Sequence, residues 1–211
     1  MLTIRGSGGR NWINYCKNVL DYGSKFHDEE EKIKELTDVF LVFNTFDPND
    51  KIFKELGDKK LVSLYRKKME TTEIVPELNS SYGKRLYDQL GIDQIDWIVK
   101  RLKSKPETKA ATISLLLPND PGPRIPCLSL IDIKVREGRL HLTGFFRSQN
   151  VTRSYANFIA IHYLHKKIAK ATGYPLGQMK FMVSSAHIYE KDIETVVRLL
   201  KESKKYLNEK N

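Results

Sequence analysis

The chain has 211 residues, a formal net charge of +10, 40% hydrophobic residues and 29% charged residues, a globular composition that excludes a long disordered or collagen-like chain. No apolar run approaches the roughly 20 residues that cross a bilayer, and the first ten residues lack an apolar signal core, so we expect a cytoplasmic protein without a membrane anchor. A positive balance raises the expectation of a phosphorylated ligand or nucleic acid, but the lysines are dispersed, and we do not expect nucleic acid.

The elements of the first half follow from hydrophobic spacing and turn residues. In chain order they are an unstructured turn at 5–10, a helix at 11–22 with Cys16 on its buried face, a mixed-charge loop at 27–35, a buried strand at 39–43, a loop with a short helix at 46–57, and a helix through Leu61, Leu64, Tyr65 and Lys68. The glycines at 5–10 could instead cradle a phosphate, but they form neither a GxGxxG nor a Walker pattern.

The second half contains a predicted hairpin, because Glu137-Gly138 separates two β-prone runs. In chain order the elements are a helix through Ile92, Ile95, Val99 and Leu102, a strand at 112–117, a break at 118–123, strands at 128–135 and 139–146, a helix at 154–171, a strand at 178–184 and a helix at 190–207. Helices and strands mix without strict alternation. We therefore predict a single α+β domain over residues 1–211, with a mixed, largely antiparallel sheet packed against helices.

Four places carry the side chains best suited to chemistry. They are Pro126-Cys127, Arg147-Ser148-Gln149-Asn150, Asn157 and Ala186-His187-Ile188-Tyr189. Cysteine attacks as its thiolate, which a nearby arginine would favour. The two cysteines of the chain lack the spacing of a disulfide framework or a structural zinc site. Singly, each residue has an ordinary explanation: a small buried cysteine, a surface arginine, a helix-capping asparagine, and a packed histidine and tyrosine.

In order and spacing these stretches resemble thymidylate synthase. That family carries a Pro-Cys nucleophile, an Arg-Ser-x-Asp motif, a buried helix with a pyrimidine-reading Asn, and an Asp/Ala-His-hydrophobe-Tyr motif. Tyr82-Gly83-Lys84 is similar to a further family segment, and the likeness is clearest over residues 81–192. The length of the chain and its Ser-Ala-His-Ile-Tyr run are closest to the short archaeal branch.

The resemblance implies transfer of a one-carbon unit from 5,10-methylenetetrahydrofolate to C5 of a uridine or deoxyuridine nucleotide. The Cys127 thiolate would add at C6 and turn the ring into an enolate that is nucleophilic at C5. Covalent catalysis of this kind replaces one difficult step by two easier ones.

The resemblance also implies how the nucleotide is bound. Arg147 would bind the phosphate with its fixed fork of donors, and Ser148 would add a hydrogen bond. Asn157 would pair with O4 and N3–H of uracil, because an amide donates and accepts at once; an Asp would suit cytosine instead. His187 and Tyr189 would hold a sugar hydroxyl.

Phosphate binding differs from the family pattern at two places. The first loop has Asp28-Glu29-Glu30-Glu31 where a phosphate-binding Arg is expected. Lys109-Ala110 stands where the family's partner subunit supplies an Arg-Arg pair, so Lys109 is a partial substitute. Phosphate binding is therefore weaker, made by other residues, or directed to a different substrate.

The folate and acid–base positions also differ. Asn150 replaces the pterin-binding Asp of the Arg-Ser-x-Asp motif, with Gln149 at the variable position, and we keep both as substrate-binding residues. The family's catalytic Glu has no clear equivalent, and Glu70 and Glu73 are candidates by position only.

Two further functions stay open. In a pyrimidine C5 hydroxymethylase, water rather than hydride would trap the exocyclic methylene. The missing arginines and Asn150 would also suit a divergent, non-catalytic nucleotide-binding protein. The family forms homodimers by sheet-to-sheet packing, with each site borrowing residues from its partner, and we expect the same here.

Overall fold

One mixed sheet organises the protein, whose computed structural model describes residues 1–28, 31–118, 120 and 125–207. Its strands are β1 (Leu2–Gly6), β2 (Ser24–Asp28), β3 (Glu31–Phe43), β4 (Thr112–Ser114), β5 (Leu128–Arg136), β6 (Arg139–Asn150) and β7 (Leu176–Tyr189). They run in the order β1-β3-β7-β6-β5-β4, and β2 pairs with β3. Within this sheet β1–β3 and β6–β7 are parallel and the other pairings are antiparallel, which confirms the predicted fold class.

The helices are set by capping carboxylates and by apolar faces. They are α1 (Gly8–Tyr22), α2 (Lys51–Leu56), α3 (Lys59–Glu70), α4 (Gly83–Tyr87), α5 (Gln94–Ser104), α6 (Ser154–Thr172) and α7 (Ile193–Leu207), with 3₁₀ turns at Pro76–Leu78, Val151–Arg153 and Glu190–Asp192. Asp50, Asp58 and Asp93 accept from backbone N–H groups at the starts of α2, α3 and α5, which satisfies donors that a helix start leaves free.

The core lies between the helices and one face of the sheet. Trp12 of α1, Phe158 of α6 and the strand residues Phe43 and Phe181 are fully buried in it. Cys16 is buried there too, as its helical position predicts. No helix in the described part of the chain has both the length and the apolar content that spanning a membrane requires.

The predicted hairpin and its following helix are confirmed, and together they create the edge at which the candidate site lies. Glu137 and Gly138 both have positive φ, 52° and 69°, which is the two-residue turn that favours glycine. β6 runs beyond the predicted end at 146 to Asn150, and α6 then returns the chain to the parallel neighbour β7. The ends of β6 and β7 therefore lie side by side.

Two predictions for the N-terminal part are wrong. The turn predicted at 5–10 is instead the end of β1 and the start of α1, where Gly8 and Gly9 are buried. The loop predicted at 27–35 is mostly the hairpin of β2 and β3, with residues 29–30 outside the described range. Its charged residues conceal the strand pattern because β2 is exposed throughout.

Smaller differences concern element ends. The strand predicted at 112–117 ends at Ser114, and the helix predicted at 190–207 begins with a 3₁₀ turn before Ile193. Of the break predicted at 118–123, only Pro118 and Asp120 lie within the described residues.

Candidate active site

A cavity of about 370 Å³ opens where the ends of β6 and β7 meet the start of β5 and one face of α3. It contains every candidate residue from the motifs at 127, 147–150, 157, 187 and 189. The described residues that line it are Asp28, Tyr65, Lys68, Tyr82, Cys127, Phe146, Arg147, Ser148, Gln149, Asn150, Arg153, Asn157, His187 and Tyr189.

The Cys127 thiol is exposed, one residue before β5 begins. The Ser148 hydroxyl donates to its sulfur across 3.6 Å. Arg147 holds the chain around the cysteine: its backbone N–H donates to the Cys127 carbonyl at 2.9 Å, Nη2 to the Ile125 carbonyl at 2.8 Å and Nε to the Pro126 carbonyl at 3.3 Å. The thiol is thus accessible and fixed, whereas burial raises the pKa of the Cys16 thiol far above its usual value.

Two buried amides line the cavity with polar atoms that have no hydrogen-bond partner among the described residues. They are Oδ1 of Asn157, in the first turn of α6, and both Oε1 and Nε2 of Gln149 on β6. A buried polar group without a partner costs about 1–3 kcal/mol. A ligand that presents both donors and acceptors would satisfy these atoms.

Asn150 is engaged within the protein. Its Oδ1 accepts from the Thr152 backbone N–H at 2.9 Å and from the Thr152 hydroxyl at 2.7 Å. Its Nδ2 donates to Asp192 Oδ2 at 3.3 Å. Asn150 therefore caps the turn Val151–Arg153 and brings a carboxylate next to the cavity rim.

His187 and Tyr189 alternate on β7 and point to the same side, with ring centroids 5.1 Å apart at 72°. Burial lowers the pKa of His187, so the ring is neutral at pH 7. Burial, and next the negative charge of Asp28, raise the pKa of Tyr189, which stays protonated. Neutral ring nitrogens and a phenol suit a hydroxyl ligand, because each can donate or accept a hydrogen bond.

Three residues selected from the sequence do not line the cavity. Lys109 is exposed between α5 and β4 and lies outside the cavity. Glu70 faces away and pairs with Arg66 at 3.3 Å. Glu73 is exposed in the segment after α3.

Lys68, Tyr65, Arg153 and Asp28 also line the cavity, although no motif in the sequence marks them as site residues. Tyr65 and Lys68 are three residues apart on the predicted helix face, which was a signal for a shared surface. Lys68, Arg147 and Arg153 bring positive charge to the cavity, against a single carboxylate, Asp28, among the described lining residues. This balance suits an anionic ligand.

Tyr82 and Gly83 join α3 to the strand of the cysteine. The Tyr82 N–H donates to the Lys68 carbonyl at 2.8 Å, and the Tyr82 hydroxyl accepts from the Leu128 N–H at 3.3 Å. A Cβ at position 83 would collide with the Thr71 carbonyl oxygen, so α4 can start against the end of α3 only with glycine. This close packing holds the tyrosine ring in the cavity wall.

Comparisons with known proteins agree with this arrangement. The family model described as thymidylate synthase matches residues 63–209. Two archaeal relatives are each named “Putative thymidylate synthase”. The relative from Methanosarcina barkeri is 28% identical over 197 residues, which cover 90% of each chain. The relative from Methanothermobacter marburgensis is 34% identical over 124 residues, which cover 57% of this chain and 56% of the relative. The thermostable thymidylate synthase A from Bacillus subtilis shares the fold, with a TM-score of 0.66 and 16% identity over 93% of this chain and 84% of that chain. Since the family match covers more than half of the sequence and all described cavity residues except Asp28, the chain belongs to the thymidylate synthase family.

Proposed function

We propose that the protein transfers a one-carbon unit from 5,10-methylenetetrahydrofolate to C5 of a uridine or deoxyuridine nucleotide, as in the conversion of dUMP to dTMP. The observation that carries the proposal is the exposed Cys127 thiol, which opens into a cavity with the unpartnered buried amides of Asn157 and Gln149. Addition to a pyrimidine requires a nucleophile and polar side chains that hydrogen-bond to the edge of the base and hold it in place.

Cys127 is the nucleophile in this proposal. Its sulfur bonds to C6, and the electron pair of the C5–C6 double bond shifts toward the C4 carbonyl, which makes C5 nucleophilic. The Ser148 hydroxyl supports the thiolate by donating to it before attack. Asn157 holds the ring: Oδ1 accepts from N3–H and Nδ2 donates to O4, which fits uracil rather than cytosine.

The remaining contacts fit a nucleotide. Arg147 uses Nε and Nη2 on backbone carbonyls, and the hydrogen bonds found in the described part of the chain leave Nη1 for a phosphate oxygen. His187 and Tyr189 bind a sugar hydroxyl. Gln149 offers one more amide to the base or the sugar.

The co-substrate has a fitting place beside the nucleotide. A second cavity of about 350 Å³ shares Arg153 with the first and is also lined by Tyr155 and Asp192. The Asp192 carboxylate, next to Asn150, can accept from the N–H groups of a pterin, and the Arg153 guanidinium can bind a glutamate carboxylate. When bound, 5,10-methylenetetrahydrofolate supplies the carbon atom and, for methylation, the hydride.

The open face of the sheet supports a homodimer. Phe40, Met182, Phe145 and Leu130 are direct neighbours across β3, β7, β6 and β5, so they form one apolar row on one face. Met182 is 38% exposed. Packing two such faces together would cover the row, and a partner chain would also allow Lys109 to approach a site outside its own subunit.

Release of tritium from C5-labelled dUMP and UMP tests the proposal, with Cys127→Ser compared against Cys16→Ser. We expect wild type and Cys16→Ser to release label with folate present and Cys127→Ser to release none above background. Equal release from both variants would refute the nucleophile assignment, and no release from wild type would favour a non-catalytic nucleotide-binding protein. Formation of dihydrofolate identifies methylation, because a hydroxymethylase releases tetrahydrofolate.

A further inference from the structure

Lys68 is a cation set into the cavity wall without a polar partner. Its Nζ lies 4.0 Å from the centroid of the Tyr82 ring and 5.6 Å from that of Tyr65. No hydrogen bond or ion pair within the described residues uses its side chain, whereas Lys84 and Lys100 on neighbouring helices each pair with a carboxylate. A partly buried ammonium that makes no hydrogen bond or ion pair is costly, so this position favours a ligand on which negative charge develops.

Hydrogen bonds through Tyr82 connect the α3 turn that carries Lys68 to the start of the strand after the thiol. The Lys68 carbonyl accepts from the Tyr82 N–H, and the Tyr82 hydroxyl accepts from the N–H of Leu128, the residue that follows Cys127. Tyr82, whose ring lies beneath the ammonium, therefore hydrogen-bonds to the Lys68 backbone through its N–H and to the residue after Cys127 through its hydroxyl. Lys68 and Cys127 line the same cavity and interact electrostatically.

The helix α3 presents Lys68 to the cavity, whereas its candidate acid Glu70 does not line it. Glu70, two residues further along α3, pairs with Arg66 outside the cavity. Asp28, the one carboxylate among the described lining residues, interacts electrostatically with His187 and Tyr189. Lys68 is therefore a cation in the described wall that lines the cavity with Cys127, interacts with it electrostatically and could supply a proton to a ring bound there.

We propose that Lys68 Nζ donates a proton to O4 of the pyrimidine as Cys127 adds at C6, an inference that rests on the proposed function. The Sγ–C6 bond forms, the C5–C6 electron pair becomes the C4–C5 double bond, and the carbonyl pair moves onto O4, which takes the proton. Lys68 is left as a neutral amine. It recovers the same proton when the enol returns to the carbonyl, so the step needs no further reactant.

The ionisation of the groups around Lys68 is consistent with this role. Burial lowers the pKa of Lys68 to about 8, opposed by the nearby Cys127, so the ammonium releases its proton more readily than an exposed lysine does. Among the titratable groups that line the cavity with it, burial raises the pKa of Tyr65, Tyr82 and Tyr189 and lowers that of His187. Arg147, Arg153 and Asp28 complete the charged groups of the described wall.

The test compares Lys68→Met, Lys68→Gln and Lys68→Arg with Lys67→Met, an exposed lysine next to it on α3. The measurements are tritium release from C5-labelled dUMP at saturation, its pH profile, and Kd for dUMP and for deoxyuridine. We expect the Met and Gln variants to release label about 100-fold more slowly with Kd unchanged within about threefold, and Lys67→Met to match wild type. Lys68→Arg should not restore the rate, because a guanidinium does not give up its proton.

Wild-type release should fall as the pH rises through about 8, where the ammonium is lost, and the Met and Gln variants should lack this decline. Normal release from either variant would overturn the proposal. A large loss of dUMP affinity with unchanged release and unchanged deoxyuridine affinity would overturn it in favour of a phosphate contact. If wild type releases no more label than Cys127→Ser, the proposed function fails and the Lys68 step fails with it. Loss of release in the Lys68 Met and Gln variants alone is the result expected from both the proposed function and the Lys68 step.

Discussion

The guanidinium of Arg85 and the carboxylate of Asp120 form a two-point ion pair, with Nη1 2.9 Å from Oδ2 and Nη2 2.6 Å from Oδ1. The side chains are only 19% and 7% exposed. Arg85 also donates to the Leu115 carbonyl at 2.8 Å, and Asp120 accepts from the Leu117 N–H at 2.9 Å. The pair therefore ties α4, which follows Tyr82, to the segment between β4 and Cys127.

Asp120→Asn should destabilise the protein by about 3 kcal/mol, because it leaves the Arg85 charge partly buried and unpaired. Urea unfolding monitored by circular dichroism measures the change. Asp88→Asn is the matched control, since it breaks the exposed pair with Lys84 and should cost less than about 1 kcal/mol. Equal losses in the two variants would contradict the role of the buried pair.

The same pair has a defined pH dependence. The Arg85 guanidinium holds the pKa of Asp120 below its usual value, so the folded pKa lies under the unfolded one of about 4. Its contribution is complete above about pH 4 and is lost as the pH falls toward the folded pKa. The free energy of unfolding of wild type should therefore fall on acidification by the contribution of this pair, and that of Asp120→Asn should not. If both proteins show the same acid dependence, the pair is not its source.

Ser148→Ala should lower the reactivity of Cys127. Removing a donor from a thiolate is worth about 1.5 kcal/mol, or roughly tenfold in the rate of alkylation by iodoacetamide at pH 7. The control is Ser185→Ala, the direct neighbour of Ser148 on β7, whose hydroxyl donates to Glu35 instead of the cysteine. A similar fall in both variants would mean that the strand ends, and not the hydroxyl at the sulfur, set the reactivity.

Asn157→Asp should shift base preference from uracil to cytosine. The buried amide presents an acceptor and a donor, whereas a carboxylate only accepts, which suits the amino group of cytosine. We expect the ratio of dUMP to dCMP affinity, measured by calorimetry, to fall at least about tenfold. Asn150→Asp should leave the ratio unchanged, because Asn150 is bonded to Thr152 and Asp192.

Met182→Asp should yield monomers in sedimentation experiments at micromolar concentration. The substitution places a charge in the apolar row of the open sheet face, and burying that charge between two sheets is costly. Val197→Asp on α7 is the control, because Val197 is also apolar and 52% exposed but lies away from the sheet face. A wild-type monomer under the same conditions would reject the dimer itself.

Local patterns were sufficient for elements whose signals lie within a few residues. The buried face of α1 with Cys16, the Glu137-Gly138 hairpin and the long α6 follow from helical spacing, turn chemistry and a continuous apolar run. The sequence pattern did not predict β1 and β2, because a short strand at the side of a sheet is stabilised by pairing with its neighbour more than by its own residues. β2 is exposed along its length and is defined by its pairing with β3.

Motif order along the chain was enough to nominate the Cys127 thiol, the Asn157 amide and the His187–Tyr189 pair as candidates, and all four residues line one cavity. The chain alone could not show that Lys68 lines the cavity of the thiol while Glu70 pairs with Arg66 outside it, or that Asn150 is engaged in a cap while Gln149 is left unpartnered. Those outcomes depend on how α3, β6 and the Tyr82 segment pack together. Packing depends on contacts between residues far apart in the sequence, and the spacing of residues within one segment carries no information about those contacts.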